Sequence, residues 1–391
     1  MRLWATALLF SSLGAVAAET PANSWLRHQQ RSELLLKQDQ MLLQHELQHA
    51  DLPQPLPALY DKGFGRTEPL LPYQLEAEEA RRIALNIVSF QTPSGGWSKR
   101  TNSWSAARKK GQYFGVEADY IPTFDNNATS AELSWLAMFY PLADRQLQPL
   151  IRQSVQKAIA LILQAQYPNG GFAQTYPLRG GYHDAITLND DVMVNLLTLL
   201  HQVATEPLFA FVDPVLKQQA AAQFELGVQL LLKMQLIVQG QLTVWASQYD
   251  QITLVPIKAR AYELPALISS ESAAVTLLLM QRVRPSDAVI KSVEAAVHWF
   301  KEKRISHSLM IRTPHGVQWR QQQTASGLWA RFYDLEQQRA LFVDRDGRVV
   351  RSMDELSLER QIGYGWYQSN AEAVLEYYLT WKAALIEQSI Q

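Results

Sequence analysis

The sequence has 391 residues, 47% of them hydrophobic, and its 36 lysines and arginines nearly balance its 37 aspartates and glutamates. A chain of this size can bury a substantial core. Its formal charge of -1 provides no overall attraction to nucleic acid. The absence of cysteine excludes disulfides, thiolate zinc sites and a cysteine nucleophile, so any bound metal must use oxygen or histidine ligands.

The first residues have the features of a signal peptide. They combine Arg2 with an apolar run from Leu3 to about Leu13 and a small-residue cleavage site after Ala17 or Ala18. The run is shorter than the ~20 residues that a membrane-spanning helix needs. We predict a signal peptide over residues 1–18 and export to the periplasm or the medium, with no membrane attachment after cleavage.

Residues 19–72 divide into a leading helix and a connector. The stretch from about Ser24 to Gln48 is rich in glutamine and leucine in a helical pattern, and five prolines follow between Asp51 and Pro72. We predict a helix that is peripheral to the catalytic body, with a short coiled coil as its simplest explanation.

The remaining residues, 73–391, form one predicted domain with an internal repeat. The segments QTPSGGW (91–97) and QYPNGGF (166–172) share the pattern Gln-x-Pro-x-Gly-Gly-aromatic, and each follows a helical segment. A polar loop then opens another helix, and a weaker third copy begins near Ala220. Such units bury their apolar faces on one another. The pattern predicts a mainly-α, (α/α) barrel-like toroid with small β-hairpins, such as one around RALFVDRDGRVVRS, and a site built from loops.

Two of the polar loops contain the carboxylates that we select as metal ligands: Asp125 in FDNN, and Asp190 and Asp191 in LNDD. Helix capping explains them equally well on spacing alone, since Asn189 could cap a helix and acids favour a helix N-terminus. Their recurrence in two repeats favours function, because a toroid would bring both loops to one rim. Oxygen ligands from separate loops, with Asn126 beside them, are typical of a partly open calcium site.

Basic residues form a second group. Lys258 and Arg260 alternate in the proline-bounded segment PIKARAYELP, where alternate side chains of an extended chain share a face. Arg331 in WARFYDLE and Arg345 in FVDRDGRVVR follow. Arginine binds carboxylates with two parallel hydrogen bonds, so these residues suit a polymer of acidic sugars. Surface ion pairing is the better interpretation for Arg348.

Three other residues have a structural explanation beside a functional one. Trp97 and Phe172 follow Gly-Gly turns and could be sugar platforms or core residues. His183 is interpreted as a hydrogen-bonded structural histidine, because no serine nucleophile at a glycine elbow accompanies it.

Seven sequence blocks occur in order between about Ala80 and Tyr378: PSGGWSKR, FDNNATSAEL, QYPNGGFAQTYP, YHDAITLNDDVMVNLL, ARAYELPALISSES, RFYDLE and RDGRV. Together they resemble the family 10 polysaccharide lyases, the helical pectate lyases. The resemblance implies a mostly helical toroid and calcium-dependent cleavage of polygalacturonate, or its oligomers, by β-elimination. It implies calcium ligands at Asp125 and at Asp190 or Asp191, and a base at Arg260. We assign four residues to substrate binding: Asn126, Lys258, Arg331 and Arg345.

The implied chemistry explains why these residue types occur together. Removal of the C5 proton of a uronate places charge on its carboxylate, which a cation and arginines would stabilise. An arginine base is charged near neutrality unless burial and neighbouring cations lower its pKa. We therefore predict an alkaline rate optimum.

Three other functions fit parts of the pattern. A class II terpene cyclase shares the aromatic repeats of a helical toroid, but its Asp-x-Asp-Asp run is not matched by LNDD. An inverting glycoside hydrolase would use Asp125 and Asp190 as its acid and base. A non-catalytic protein would bind acidic sugars and release no product.

Overall fold

The structure is a computed structural model that describes residues 21–61, 70–117 and 122–390. The predicted signal peptide, 1–18, lies outside the described residues. Within the described ranges, no helix is long and apolar enough to cross a lipid bilayer. The α-helices there are α1 (Pro21–Ala50), α2 (Ala77–Ser89), α3 (Ser130–Phe139), α4 (Gln148–Ala165), α5 (Val192–Thr205), α6 (Pro214–Met234), α7 (Ser270–Met280), α8 (Asp287–Lys303), α9 (Leu358–Gly363) and α10 (Ala371–Ile390).

The strands are short and pair in antiparallel twos. They are β1 (Ile186–Thr187), β2 (Ile237–Val238), β3 (Gln241–Leu242), β4 (Gln248–Tyr249), β5 (Leu267–Ile268), β6 (Ser308–Thr313), β7 (Gly316–Gln321), β8 (Trp329–Ala330), β9 (Phe332–Tyr333), β10 (Phe342–Val343), β11 (Val349–Val350) and β12 (Tyr367–Gln368). The pairs are β1–β4, β2–β3, β5–β9, β6–β7, β8–β12 and β10–β11. The hairpin predicted around RALFVDRDGRVVRS is confirmed as β10–β11, whereas the longer hairpin β6–β7 was not predicted.

The helices form two layers, which confirms the predicted mainly-α toroid. An inner row consists of α3, α5 and α7, each in contact with the next, and an outer row of α2, α4, α6 and α8 packs behind it. The inner helices are buried on several sides, so their sequences are apolar almost all round. The loops that enter the inner helices therefore meet at one end of the toroid.

A glutamine makes the same two bonds at three successive turns. Its side-chain N–H groups donate to a carbonyl oxygen of its own turn and to one of the next outer helix, at 2.7–3.0 Å. The donors and their acceptors are Gln91 with Gly95 and Ser154, Gln166 with Gly170 and Gln223, and Gln235 with Thr243 and Ser292. The third repeat, predicted as a weaker copy, is therefore built in the same way as the first two.

The aromatic residues after the turns are core residues and not sugar platforms. Trp97 and Phe172 are 2% and 0% exposed. Trp97, Trp245 and Trp329 each donate the indole N–H to a carbonyl oxygen in the preceding helix, α2, α6 or α8, at 2.7–2.8 Å. Each ring thus joins one turn to the end of its helix.

The leading helix, α1, extends slightly beyond its predicted bounds and packs on the repeat body. The Nε2 atom of His28 lies 3.2 Å from the carbonyl oxygen of Ala165, at the end of α4. The carboxylate of Asp39 accepts the backbone N–H and the hydroxyl of Ser94, each at 2.7 Å. α1 therefore packs on the first glycine turn and on the end of α4, so no coiled coil is needed to explain it.

Candidate active site

Two loops at the same end of the toroid have the same backbone conformation. We call Asp125–Asn127 the first rim loop and Asn189–Asp191 the second rim loop. The left-handed residues are Asn126 (φ 53°) and Asn127 (φ 63°) in the first loop, and Asp190 (φ 54°) and Asp191 (φ 59°) in the second. Asparagine and aspartate tolerate this conformation better than other non-glycine residues. The match aligns Asp125 with Asn189, so the sequence DNN stands where the second loop has NDD.

Helix capping does not account for the rim acids. None of Asp125, Asp190 and Asp191 makes a side-chain cap hydrogen bond. The expectation that Asn189 caps α5 is wrong, because its Oδ1 atom accepts a hydrogen bond from Arg331 at 3.2 Å. The rim carboxylates thus make no capping hydrogen bond, which favours the functional interpretation.

Two cations hold the acidic cluster together. The Nζ atom of Lys99 lies 2.5 Å from Oδ2 of Asp125, which is 2% exposed. On the other side, Nη2 of Arg331 lies 3.2 Å from Oε1 of Glu271 and 3.7 Å from Oδ1 of Asp190. Four carboxylates, those of Asp125, Asp190, Asp191 and Glu271, therefore share a rim with two basic side chains.

Burial and like charge raise the pKa values of the second rim loop. Burial, followed by the carboxylates of Asp125 and Glu271, raises the pKa of Asp190 to about 6. Burial, followed by the carboxylates of Glu271 and Asp190, raises the pKa of Asp191 to about 7. The charge of Arg331 opposes both shifts without cancelling them. The cluster therefore has an affinity for additional positive charge.

The donor atoms of the cluster fit a hard divalent cation such as Ca²⁺. Three of its carboxylate oxygens are buried and receive no hydrogen bond from the described residues: Oδ1 of Asp125, Oδ1 of Asp191 and Oε2 of Glu271. Calcium takes six to eight such oxygen ligands, some from water or substrate. Within the same described ranges, no three acidic or histidine side chains already have the arrangement of a metal site.

Lys99 and Glu271 are the residues that the sequence analysis missed, and the repeat itself contains the signal for both. Lys99 stands two residues after Trp97, and Arg331 stands two residues after Trp329. These equivalent positions supply both cations of the cluster. Glu271 lies in the first turn of α7. This position in the third repeat corresponds to the acidic loops that precede α3 and α5 in the first two repeats.

The two other positions of this kind lie beside the rim. Gln174 and Ser247, each two residues after its turn aromatic, line a small pocket together with Asn189, Arg260 and Glu263. Gln174 also makes a 3.2 Å contact with Nδ1 of His183, which agrees with a structural histidine. The pocket joins the predicted base to the second rim loop.

Arg260 lies at the start of a tight turn and is held by two side chains. Its Nη1 atom donates to the Tyr262 hydroxyl at 3.0 Å, and its Nε atom lies 3.5 Å from Oε2 of Glu263. Burial acts to lower the pKa of Arg260, but the Tyr262 hydrogen bond and the Glu263 carboxylate outweigh it and raise the pKa. The net shift in pKa is therefore opposite to the expected one, because anionic and phenolic partners hold the guanidinium. Lys258 is exposed in the segment that precedes the turn, as Arg260 is, which agrees with the predicted alternation.

The predicted substrate-binding residues take three different positions. Arg331 is at the centre of the acidic cluster. Arg345 is exposed and pairs with Glu359 at 2.7 Å, and its guanidinium lies 5.2 Å from the centre of the Tyr262 ring. Asn126 is half-buried on the first rim loop. The surface role preferred for Arg348 agrees with its 3.4 Å contact to Asp344.

The family model of the pectic acid lyases matches residues 91–375. The chain belongs to the pectic acid lyase family. It is similar to two structures of a family 10 polysaccharide lyase from Cellvibrio cellulosa, one of them an aspartate-to-alanine mutant in complex with trigalacturonic acid. Each of the two structures is 28% identical to this chain in sequence and has a TM-score of 0.69. The match to the complex covers 79% of this chain and 94% of the related chain. The match to the other structure covers 81% of this chain and 98% of the related chain. No protein with a curated description matches significantly.

The family makes this chain a polysaccharide lyase of the pectate lyase type and excludes the terpene cyclase and non-catalytic alternatives. The inverting hydrolase also disagrees with the geometry. Together with burial, the like charge of the Asp125 carboxylate raises the pKa of Asp190, and Asp125 itself is buried against Lys99, whereas an inverting pair needs room for a water between its two carboxylates. α1 lies outside the residues that the family model matches.

Proposed function

We propose that the chain cleaves α-1,4-polygalacturonate, or its oligomers, by calcium-dependent β-elimination at the rim. The observation that carries the proposal is the acidic cluster, whose carboxylates cap no helix and retain three buried oxygens without a donor. The complex of a related lyase with trigalacturonic acid supports the substrate class.

The cluster residues would hold the ion: Asp125, Asp190, Asp191 and Glu271. A bound calcium ion supplies charge withdrawal from the carboxylate of the reacting uronate, which acidifies its C5 proton. Arg331 would add a guanidinium to the same carboxylate, because it already contacts the cluster. Asn126, Lys258 and Arg345 would bind neighbouring sugars.

Arg260 would take the C5 proton. The electrons of the C5–H bond form the C4–C5 double bond, the C4–O bond breaks, and the departing oxygen gains a proton from water. The products are a 4,5-unsaturated non-reducing end and a new reducing end. Because Glu263 and Tyr262 hold the proton on Arg260, only a small fraction is neutral, and because that fraction grows with pH, the rate should rise through the alkaline range.

The experiment follows the ultraviolet absorbance of the conjugated uronate with polygalacturonate at alkaline pH, in calcium or in chelator. Arg260→Ala should lower kcat by about 10²- to 10⁴-fold, as expected for a lost general base. The control is Arg284→Ala, which removes an exposed arginine between α7 and α8. New reducing ends without absorbance would indicate hydrolysis, and an equal rate in chelator would remove calcium from the mechanism.

Glu263→Gln tests the protonation of Arg260 from the other direction. Loss of the carboxylate should lower the pKa of Arg260, so the rising limb of the pH profile should move to lower pH. A limb that stays in place, with kcat otherwise retained, would argue that another group is the base.

We also propose that residues 1–18 direct export to the periplasm or the medium. The support is the sequence of the leader alone. Cell fractionation of the full chain and of a chain that begins at residue 19 tests it: the full chain should be exported in processed form, and retention of both chains in the cytoplasm would contradict the proposal.

A further inference from the structure

A buried arginine in α9 has almost no hydrogen-bond partners. The Arg360 side chain is one of the largest that are fully buried, with an exposed fraction of 1%. Its Nη2 atom donates to the carbonyl oxygen of Val343 at 3.3 Å, while Nε and Nη1 have no partner among the described residues. A buried cation with two nitrogen atoms that lack an acceptor is costly, so the chain retains it for a reason other than stability.

Aromatic rings surround this guanidinium in place of a carboxylate. Its central carbon lies 4.0 Å from the ring centre of Tyr364, 4.7 Å from that of Tyr262 and 4.8 Å from that of Trp366. Each distance is within the range where the negative face of a ring attracts a cation. The nearby carboxylate of Glu359 already pairs with Arg345.

The two tyrosines also contact the arginines that we assign to catalysis and substrate binding. The Tyr262 hydroxyl accepts a hydrogen bond from Arg260, and its ring lies 5.2 Å from the guanidinium of Arg345. The Tyr364 ring lies 5.1 Å from the guanidinium of Arg331. Every arginine in the proposed mechanism is thus one tyrosine away from Arg360.

We propose that Arg360 is a positioning residue that fixes Tyr262 and Tyr364, and through them the base and the arginines that bind substrate carboxylates. The inference rests on the proposed function of those arginines. Aromatic rings suit this task because they orient a guanidinium without neutralising it.

The experiment compares Arg360→Lys with a matched control, Arg108→Lys. Arg108 is also buried and stacked, 3.7 Å from the ring centre of Phe114, but it pairs with Glu46 of α1, outside the proposed site. Lysine keeps the charge and loses the planar group. We measure kcat and KM on trigalacturonate in calcium, together with the melting temperature.

Arg360→Lys should lower kcat and raise KM, with kcat/KM falling by about 10- to 100-fold, because displacement of a catalytic group by ~1 Å can cost that much. Arg108→Lys should leave both constants unchanged even where it lowers the melting temperature equally. Unchanged constants in Arg360→Lys, or an equal loss in the control, would overturn the inference.

A double-mutant cycle separates positioning from general damage. Tyr364→Leu should mainly raise KM, because it releases Arg331, and Arg360→Lys should then add less than it does alone. Additive effects would overturn the proposed coupling. If Arg360→Lys does not fold, the test is the KM of Tyr364→Leu: a KM equal to that of the wild-type protein overturns the inference. A wild-type protein that neither binds trigalacturonate nor forms unsaturated product overturns the proposed function, and this inference with it.

Discussion

The two rim loops share a backbone and differ in the order of their acids and amides. The first loop reads DNN and the second reads NDD, on matching pairs of left-handed residues. The single acid of the first loop, Asp125, is buried and paired with Lys99. The two acids of the second loop are half-buried and have raised pKa values. The shared backbone therefore fixes where the side chains project. Because acids and amides occupy opposite positions in the two loops, the loops together form an acidic cluster that neither has alone.

The helices that follow the two rim loops differ in how their N-termini are capped. At the start of α3, the Glu132 carboxylate accepts the backbone N–H of Thr129 at 2.8 Å. The start of α5 has no side-chain cap, although two acids stand directly before it. The first repeat thus keeps the stabilising cap, while the second uses its acids for the cluster.

The largest effect should come from neutral substitution of the rim acids. Asp190→Asn, Asp191→Asn and Asp125→Asn each keep the shape of the side chain and remove a charge. We expect each to lower kcat by about 100-fold or more, comparable to the loss of a group that stabilises developing charge. The calcium concentration for half-maximal rate should rise in the same variants.

Asp213→Asn is the matched control for this series. Asp213 caps α6 by accepting the N–H of Val215 at 2.7 Å, and asparagine caps as well, so rate and stability should both be retained. Full activity in Asp125→Asn alone would break the comparison, because the first loop would then serve only to pair with Lys99.

A second effect should appear in stability against pH without calcium. Asp190 and Asp191 have folded pKa values near 6 and 7, above the ordinary value of 3.8. The folded state therefore binds their protons more tightly than the unfolded state, and this stabilisation is lost progressively as pH rises from the ordinary pKa of 3.8 through 6 and 7. The melting temperature in chelator should fall by a few °C over this interval.

Calcium should restore the lost stability at the upper end of that interval, since it binds the folded state. Asp190→Asn and Asp191→Asn should flatten the profile in chelator, and Asp125→Asn should flatten it less. If the melting temperature of the wild-type protein in chelator does not change with pH, the raised pKa values of Asp190 and Asp191 are contradicted.

The smallest effect should distinguish the two amides of the first loop. Asn126→Gly keeps the left-handed backbone and removes the amide. If Asn126 binds a sugar, KM should rise by about threefold to tenfold, the value of one hydrogen bond, with kcat unchanged. Asn127→Gly, at the exposed neighbouring position, is the control. Equal KM values in all three proteins would leave Asn126 without a role.

The sequence predicted the fold because the repeat is local. The Gln-x-Pro-x-Gly-Gly-aromatic turn and the apolar helices on each side of it encode one unit, and packing of such units leaves few arrangements. The hairpin β6–β7 was missed because its strands have no buried face, Gly316 being their one buried residue, and a strand is recognised in a sequence by its apolar face.

The candidate site was predicted only in part, because its contacts join distant repeats. Asp125 and the second rim loop were found through their acids, but Lys99 looks like an ordinary surface lysine in the sequence and is in fact buried. Arg360 was missed for the same reason, since only the fold surrounds it with aromatic rings. Periodicity predicts which face of a helix is buried, and it does not predict what a single charged side chain meets there.

The docking of α1 has a consequence for the order of folding. Its bonds span long stretches of chain: His28 and Ala165 are 137 residues apart, and Asp39 and Ser94 are 55 apart. A helix of 30 residues can form early by local bonds, but it cannot dock until the first two repeats exist. We therefore expect α1 to dock late in folding. In hydrogen exchange, the contacts between α1 and the repeats should be among the first to open.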